Sequence, residues 1–235
     1  MNEVIILAGG MGSRLRSVVA DVPKCLAMVN KKPFISYLIL KLTEQGVNHF
    51  IFSLGYKSEL VIAYLESEFA ELKKTYVVED KPLGTGGAIK KACSKVIGDH
   101  VLVVNGDTMF TVNIAELENY HLMKQSDCTL SLKMMENFDR YGVVELNPDQ
   151  TIKAFREKEF YASGLINGGV YLLNCRAFNN EDLPESFSFE KDYLERYFSK
   201  RSVHALVQNE YFIDIGIPED YAKAQIDFKS IFQLG

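Results

Sequence analysis

The chain has few cysteines, no excess of basic residues and no long apolar run. Its four cysteines are widely scattered among 235 residues without a C-x-x-C pair, which favours reduced thiols over a disulfide framework or a zinc site. The 31 acidic residues outnumber the 26 lysines and arginines, and the net charge of −5 argues against binding to nucleic acid or to an anionic membrane. Because we find neither a basic-then-apolar leader nor an apolar span of about 18 residues, we expect a cytoplasmic protein with no membrane partner.

Internal repeats, long linkers and low-complexity segments are also missing. The hydrophobic content of 47% and the charged content of 24% are ordinary for a globular protein. A chain of 235 residues is long enough for one large α/β domain and short for two. We therefore predict a single domain over residues 1–235.

Short apolar stretches alternate with helical patterns in the first half of the chain. We predict strands at 4–8, 50–54, 74–78 and 100–105, and helices at 33–45, 58–69 and 86–95. Ser58 is the expected N-cap of its helix. Strands that are apolar throughout are typical of a parallel sheet covered on both faces. With right-handed crossovers, this βαβ succession predicts a Rossmann-like, doubly wound α/β sheet.

The second half is richer in strands. Its predicted strands are 128–134, 142–146, 151–156, 165–173 and 202–206, and its predicted helices are 189–198 and 218–232. Pro218 suits the first position of the last helix. Because fewer helices separate these strands, we expect an antiparallel portion added to the parallel one, which gives a mixed, mainly parallel sheet.

The most informative stretch is an apolar strand that opens directly into a glycine-rich turn. The sequence GGMGSRLR at 9–16 follows the strand, and a Pro-Lys pair ends at Lys24. Without Cβ atoms, such a turn lets backbone N–H groups approach phosphate oxygens. Arg14, Arg16 and Lys24 add positive charge where a polyphosphate needs it, so the stretch predicts a site for a nucleoside triphosphate.

These motifs resemble those of the sugar nucleotidyltransferases, which join a nucleoside triphosphate to a sugar 1-phosphate and release pyrophosphate. The family pattern G-G-x-G-x-R-L, then P-K-x-L, is matched by Gly9, Gly10, Gly12, Arg14, Leu15, Pro23, Lys24 and Leu26. Five further blocks follow in family order, at 83–88, 104–107, 157–158, 167–171 and 214–221. The resemblance covers nearly the whole chain. It implies a nucleotide-diphospho-sugar transferase fold of the GT-A type, with a nucleotide-binding half of about 1–125 and a sugar-binding half of about 126–235.

The resemblance also implies which residues are catalytic and which bind the nucleotide. Arg14, Lys24 and Asp107 are the implied catalytic residues, and the two bases hold the triphosphate and the charge that develops at the α-phosphate. The implied nucleotide-binding residues are Leu7, Ala8, Gly9, Gly10, Gly12, Ser13, Arg14, Lys24, Glu79, Gly84, Thr85, Gly86, Asn105 and Gly106. For a lone base an exposed ion pair is the ordinary alternative, and the role of Arg16 stays open.

Two aspartates are candidates for binding Mg²⁺, the hard cation that suits polyphosphate chemistry. Asp107 directly follows an apolar strand and a glycine, at the sheet edge where open α/β folds bind ligands. Asp214 lies among apolar neighbours, where an unpaired carboxylate is costly. The resemblance makes both of them Mg²⁺ ligands. A helix-capping role for Asp107 and a hydrogen bond near the Gly216 turn for Asp214 are the alternatives.

Glu79 bears on the choice of base. A carboxylate accepts hydrogen bonds from N1–H and N2–H₂ of guanine together, whereas uracil and thymine offer one N–H flanked by carbonyls. Glu79 therefore favours GTP, against the alternative of a surface glutamate before a turn. The 79–88 block and the sequence GVVE at 142–145 most resemble D-glycero-α-D-manno-heptose 1-phosphate guanylyltransferases, which make GDP-heptose for bacterial surface glycans. Ile217 departs from the threonine that is usual in the family.

The implied sugar-phosphate site lies in the second half. Its residues are Gly142, Glu157, Lys158, Asn167, Gly168 and Gly169. In this reading Glu157 accepts hydrogen bonds from sugar hydroxyls, and Lys158 meets the phosphate as a point charge. A solvated charged face is the alternative for Glu157, and a β-bulge is the alternative for the two glycines.

Several other interpretations stay open. Mannose, N-acetylmuramate or glucose 1-phosphate, with GTP, UTP or dTTP, are the alternative substrates. A catalytically silent nucleotide-sugar sensor is expected to lack Lys24, Asp107 or Asp214, and all three are present. A dinucleotide-dependent oxidoreductase needs G-x-G-x-x-G and an acid that closes the second strand, whereas that strand ends at Gly55. A homo-oligomer built through an apolar helix also stays open, because one sequence does not separate such a face from core.

Overall fold

The computed structural model describes residues 1–10, 15, 19 and 22–233, which fold around one seven-stranded sheet. In chain order the strands are β1 (Glu3–Ala8), β2 (Met28–Val29), β3 (Lys32–Pro33), β4 (His49–Leu54), β5 (Lys74–Val78), β6 (His100–Asn105), β7 (Thr108–Phe110), β8 (Cys128–Phe138), β9 (Val144–Leu146), β10 (Ile152–Phe155), β11 (Tyr161–Asn174), β12 (Val203–Val207) and β13 (Phe212–Asp214). The order across the main sheet is β12-β8-β11-β6-β1-β4-β5. Among these seven strands only β11 runs against its neighbours, which confirms a mixed, mainly parallel sheet.

Helices connect and cover these strands. The α-helices are α1 (Phe34–Glu44), α2 (Ser58–Glu68), α3 (Gly84–Cys93), α4 (Ile114–Met123), α5 (Cys175–Asn179), α6 (Glu195–Tyr197) and α7 (Pro218–Ile231), with a 3₁₀ turn at Lys24–Leu26 and a π-helical turn at Phe189–Leu194. Pro218 begins α7 as predicted. The prediction for Ser58 is wrong, because Lys57 takes the N-cap position with a φ of 49° and Ser58 is the first helical residue. In the described part of the chain, no helix has both the length and the apolar character to pass through a bilayer.

The central strands are covered on both faces, as their uniformly apolar sequences predict. Side chains alternate along a strand, so Val4 and Ile6 of β1 join one core and Ile5 joins the other. The first core lies under α1 and α7, whose Phe34 and Phe228 rings stack with 5.6 Å between centroids. The second core lies under α3, α5 and the π-helical turn. Two covered faces define a doubly wound fold.

The connectivity places a switch point of the sheet between β1 and β6. From β1 the chain runs outward through β4 and β5, and it then returns to β6 on the other side of β1. Open α/β sheets bind ligands outside the carboxyl ends of their strands at such a point. Just beyond β6, the Gly106 N–H donates to the Leu7 carbonyl of β1 at 2.8 Å, so the two strand ends lie side by side there.

The second half adds less antiparallel structure to the main sheet than expected. β11 is inserted between β6 and β8, and both β8 and β12 run in the same direction as β6. Antiparallel pairing is otherwise found in small ribbons, among them β9–β10 and β7–β13. The β7–β13 ribbon begins immediately after the end of β6 and therefore reaches the switch point.

Candidate active site

A cavity of about 310 Å³ opens at the switch point between β1 and β6. Its walls come from the ends of β1, β4 and β6, from the segment after β5, from the 3₁₀ turn and from the first half of α3. The predicted nucleotide-site and catalytic residues that line it are Leu7, Ala8, Gly9, Gly10, Lys24, Glu79, Gly84, Thr85, Asn105, Gly106 and Asp107. This cavity, which we call the nucleotide cavity, has the volume of a small-molecule site.

Glu79 lies in the wall of the nucleotide cavity just beyond β5. Its Oε2 accepts the Leu83 N–H at 3.0 Å, which leaves Oε1 and a further lone pair for a ligand. Gly86, by contrast, is buried outside the lining, and a Cβ at this position would lie 2.1 Å from the Phe187 ring. The structure gives Gly86 a packing role, because the missing side chain lets α3 approach the segment before the π-helical turn, and its predicted contact with the base stays a prediction.

A two-stranded ribbon brings the two candidate metal ligands together. In the β7–β13 pair Asp214 lies opposite Thr108, the neighbour of Asp107, and the Ile215 N–H donates to the Asp107 carbonyl at 3.1 Å. Burial, followed by the negative charge of Asp107, raises the pKa of the Asp214 carboxyl. Asp214 Oδ1 also accepts the Gly216 N–H at 2.8 Å. Asp214 therefore makes the turn hydrogen bond that was its alternative role and also lies beside Asp107 as the second carboxylate of the pair.

Two cations contact this acidic pair. Lys24 Nζ lies 2.9 Å from Asp107 Oδ2, and only 16% of the lysine side chain is exposed. Arg140 Nη2 lies 3.5 Å from Asp214 Oδ2, and the same guanidinium binds Asp220. These five side chains form one charged network, which we call the junction network.

A second cavity of about 410 Å³ adjoins the nucleotide cavity, and Asn105 lines both. The predicted sugar-site residues that line this second, sugar cavity are Gly142, Glu157, Lys158, Asn167, Gly168 and Gly169. Asp107 lines the nucleotide cavity and Asp214 lines the sugar cavity, so the junction network stands at their boundary. Glu157 and Lys158 are exposed, so for Glu157 both the sugar-binding role and the solvated-face alternative stay open.

Comparisons with known proteins show the family of this chain. The family model described as nucleotidyl transferase matches residues 3–230. The chain belongs to the nucleotidyl transferase family. It is 45% identical to a D-glycero-α-D-manno-heptose 1-phosphate guanylyltransferase of Aneurinibacillus thermoaerophilus over 95% of this chain and 96% of the relative. A protein of the same name from Campylobacter jejuni is 42% identical over 93% and 96%.

A solved structure confirms the fold. HddC from Yersinia pseudotuberculosis, complexed with GMP-PN, is 37% identical to this chain with a TM-score of 0.89, and the match covers 97% of this chain and 100% of HddC. The family and the single-domain α/β fold predicted from the motifs are therefore confirmed. The predicted roles of Gly12, Ser13 and Arg14, and the open role of Arg16, lie outside the described residues and stay predictions.

The donor set of Asp107 and Asp214 fits a Mg²⁺ ion. Both residues offer hard oxygen atoms, and a bound cation would offset the repulsion that contributes to the raised pKa of Asp214. In residues 1–10, 15, 19 and 22–233 no group of three or more His, Cys, Asp or Glu side chains is arranged to hold a metal alone. An ion here would complete its coordination with water and phosphate oxygens, as Mg²⁺ commonly does.

A β-bulge shapes the boundary between Asn105 and the sugar cavity. The pairing of β11 with β8 shifts between Asn167 and Tyr171. Inside this irregularity Gly169 has a φ of +70°, and a Cβ at this position would lie 2.5 Å from Asn105 Nδ2. For Gly168 and Gly169 the sequence offers a β-bulge and a place in the sugar site as alternatives. The structure shows both together, because the bulge turns glycine backbone toward the cavity.

Several polar residues of the site carry no sequence motif that predicts them. Those that line the sugar cavity are Thr108, Tyr141, Arg156, Ser188, Glu190, Lys191 and Glu195, and Arg140 belongs to the junction network. Position beside Gly142 was a usable signal for Tyr141. No family block includes residues 188–195, and the helical spacing predicted there says nothing about which polar side chains face a cavity.

Cys25 lines the nucleotide cavity beside Lys24 and is a packing residue. Its side chain is buried, and burial, followed by the charge of Asp107, raises the pKa of the thiol to about 12. The thiol is therefore neutral near pH 7 and is not an activated nucleophile. All four cysteines are free and buried.

Proposed function

We propose that this protein transfers the GMP group of GTP to D-glycero-α-D-manno-heptose 1-phosphate, with release of pyrophosphate. The observation that carries the proposal is the pair of adjoining cavities with the junction network at their boundary. Such a site holds two phosphorylated substrates side by side, which nucleotidyl transfer requires. The likeness to heptose 1-phosphate guanylyltransferases over nearly the full length of both chains supports the choice of substrates.

The reaction is an in-line displacement at the α-phosphorus of GTP. An oxygen of the sugar phosphate forms the new P–O bond, the bond to the oxygen that bridges the α- and β-phosphates breaks, and pyrophosphate leaves with those electrons. No side-chain nucleophile is needed, because the protein has only to align two polyanions and offset their repulsion. We assign this work to Lys24 and Arg14 at the triphosphate and to Lys158 at the sugar phosphate.

The junction network also supports a metal role. We infer that Asp107 and Asp214 hold Mg²⁺, which when bound neutralises phosphate charge and orients the triphosphate. The 2.9 Å contact with Asp107 meanwhile keeps the Lys24 ammonium at the boundary of the two cavities, where the reacting phosphates meet.

The base and the sugar are assigned to opposite ends of the site. Glu79 accepts from the N1–H and N2–H₂ edge of guanine through the oxygen lone pairs that Leu83 leaves free. The complex of HddC with GMP-PN supports a guanine nucleotide in this fold. Glu157, at the sugar cavity, accepts from sugar hydroxyls.

Pyrophosphate release tests the proposal directly. GTP, UTP, dTTP, CTP and ATP are each combined with heptose, mannose, N-acetylmuramate and glucose 1-phosphates in the presence of Mg²⁺. We expect turnover that needs GTP and favours the heptose. Preference for another nucleotide refutes the role of Glu79, and preference for another sugar refutes the heptose assignment. Silence across all combinations, from a folded protein that binds GTP, favours the sensor interpretation.

We also propose that the enzyme acts in the cytoplasm, as its scattered, unpaired cysteines suggest. By its resemblance, it supplies a nucleotide-sugar for a surface glycan such as lipopolysaccharide or capsule. Self-association through an exposed apolar helix face is the remaining prediction, and sedimentation of the purified protein tests it.

A further inference from the structure

The sugar cavity contains a carboxylate that the family motifs do not explain. Glu190 lies in the π-helical turn, is partly buried and lines the cavity. Within the described residues no lysine or arginine forms an ion pair with it. A carboxylate partly withdrawn from water is costly unless hydrogen bonds or a ligand satisfy it. The partners of its two oxygens therefore determine whether the Glu190 carboxylate is satisfied.

Hydroxyl groups hold one of the two oxygens. Glu190 Oε2 accepts from Thr85 Oγ1 at 2.8 Å and from Ser188 Oγ at 3.1 Å. The Thr85 hydroxyl is itself oriented, because its oxygen accepts the Phe189 N–H at 2.8 Å and its own hydrogen is directed to Glu190. Since Thr85 also lines the nucleotide cavity, the position of this sugar-cavity carboxylate is set from the nucleotide side.

The other oxygen is underused. Glu190 Oε1 lies 3.4 Å from the Tyr171 hydroxyl, which is long for a hydrogen bond between two oxygens. Each carboxylate oxygen has two acceptor positions. Oε1 therefore keeps capacity for a short hydrogen bond from a ligand in the cavity.

The neighbouring amide is committed to internal contacts. Asn167 Nδ2 donates to the Tyr171 hydroxyl at 2.9 Å, and Asn167 Oδ1 accepts the Gly169 N–H at 3.0 Å. Asn167 thereby holds the bulge together and has less free acceptor capacity than Glu190 Oε1. A polyhydroxylated ligand in this cavity meets the carboxylate as its stronger acceptor, because hydrogen bonds to a charged oxygen are about twice as strong as neutral ones.

We propose that Glu190 binds a hydroxyl of the sugar 1-phosphate through Oε1, while Thr85 and Ser188 hold the carboxylate in place. The inference deepens the proposed function and rests on it for the class of ligand. It assigns the sugar cavity a second hydroxyl-binding carboxylate besides Glu157. It also explains why an acidic side chain that no described lysine or arginine pairs with is kept beside a cavity that must accept an anionic substrate.

The test compares E190Q with the wild-type enzyme. We expect the KM for the sugar 1-phosphate to rise about 10- to 100-fold, the size of a lost hydrogen bond to a charged group, while the Kd for GTP stays within about twofold. E190D keeps the charge but retracts it, and its KM should be intermediate. E185Q is the matched control, because Glu185 is an exposed acid paired with Lys81 outside both cavities, and its KM should not change.

Substrate analogues distinguish a sugar-binding role of Glu190 from a purely structural one. Sugar 1-phosphates that lack one hydroxyl at a time identify the bonded group, since its removal should lower kcat/KM of the wild type about tenfold more than that of E190Q. An unchanged KM for E190Q overturns the inference. Equal losses of GTP affinity and of sugar affinity also overturn it, because Glu190 would then only support α3.

Failure of the proposed function is recognised separately, from the wild type. If the wild-type enzyme rejects the heptose phosphate, the E190Q comparison is made with the sugar 1-phosphate that it accepts. If it accepts none, calorimetric binding of the heptose 1-phosphate to both proteins takes the place of turnover. Equal affinity of the two proteins then overturns the inference.

Discussion

Replacing Asp107 with asparagine should abolish metal-dependent turnover while leaving the fold intact. The substitution is nearly isosteric and removes one of the two proposed Mg²⁺ ligands. It also removes the ion partner of Lys24, 2.9 Å away. The Ile215 N–H contact is with the Asp107 main-chain carbonyl, so the β7–β13 ribbon keeps this hydrogen bond in the variant.

The expected losses differ in size for activity and for stability. A catalytic metal contributes several kcal/mol, and about 4 kcal/mol corresponds to a fall of about a thousandfold in kcat. The side chains of Lys24 and Asp107 are 16% and 28% exposed, and a partly exposed ion pair is worth about 1 kcal/mol. Relief of the repulsion between Asp107 and Asp214 opposes that loss. The Tm should therefore fall by no more than about 4 °C.

The assay is pyrophosphate release across a Mg²⁺ titration, with the Tm and the metal-free GTP affinity measured on the same samples. Asp99→Asn is the matched control, because Asp99 lies in an exposed pair with Arg176 and should retain wild-type kcat. A folded D107N protein with kcat within tenfold of the wild type would refute the metal role. A loss of activity that tracks a large fall in Tm would instead assign Asp107 a structural role.

Three further outcomes are expected. Glu79→Gln should lower the ratio of kcat/KM for GTP over UTP by about 10- to 100-fold, because a bidentate base contact contributes about 1–3 kcal/mol of discrimination. An unchanged ratio would show that Glu79 does not read the base and serves only as the acceptor for the Leu83 N–H. Burial, followed by two nearby histidines, lowers the pKa of His121 from 6.5 to about 3, so the unfolded chain binds a proton below pH 6.5 that the folded chain does not. As the pH is lowered from 6.5 toward 3, His121 should therefore contribute a fall of about 1.4 kcal/mol per pH unit to the free energy of unfolding measured by urea titration. His121→Gln should remove that contribution from the total slope, and equal slopes for the two proteins would contradict this origin. Gly169→Ala should slow turnover more than tenfold by displacing Asn105. The control is Gly46→Ala, which should lower only stability, because Gly46 has a φ of +89° and a Cβ there would have no atom within 4 Å. Equal activities of the two variants would refute the clash with Asn105.

The strands of the first half are predictable because they are buried on both faces. All six residues of His49–Leu54 are buried, and their apolar run predicts the strand to within one residue. α4 is missed although a signal exists: Asn113 precedes it and accepts the Glu116 N–H at 3.1 Å, as an Asn-x-x-Glu N-cap does. Short elements such as β7 have too few residues for a periodic pattern.

The start of α3 shows where local preference fails. Glycine-rich sequence disfavours a helix, so the prediction begins at residue 86, whereas α3 begins at Gly84. The Gly86 N–H donates to the Phe187 carbonyl at 2.9 Å, and the buried glycine surface packs against that ring. A contact between residues a hundred positions apart therefore sets this boundary, and no local pattern contains it.

Sequence motifs predict the two halves of the candidate site, but the register of the strands determines whether the halves meet. The blocks ending in Asp107 and beginning at Asn167 indicate phosphate and sugar chemistry separately, but their meeting depends on how β11 pairs. Because Val170 lies opposite Val104 and β11 runs antiparallel to β6, the part of β11 before Val170 extends past the end of β6, over the switch point. There it pairs with the far end of β8, where Asn167 lies opposite Leu132. A slip of one residue would reverse the face of every side chain in this extension and remove Asn167 from the cavity, so the register of a single antiparallel strand determines whether the two half-sites form one active site.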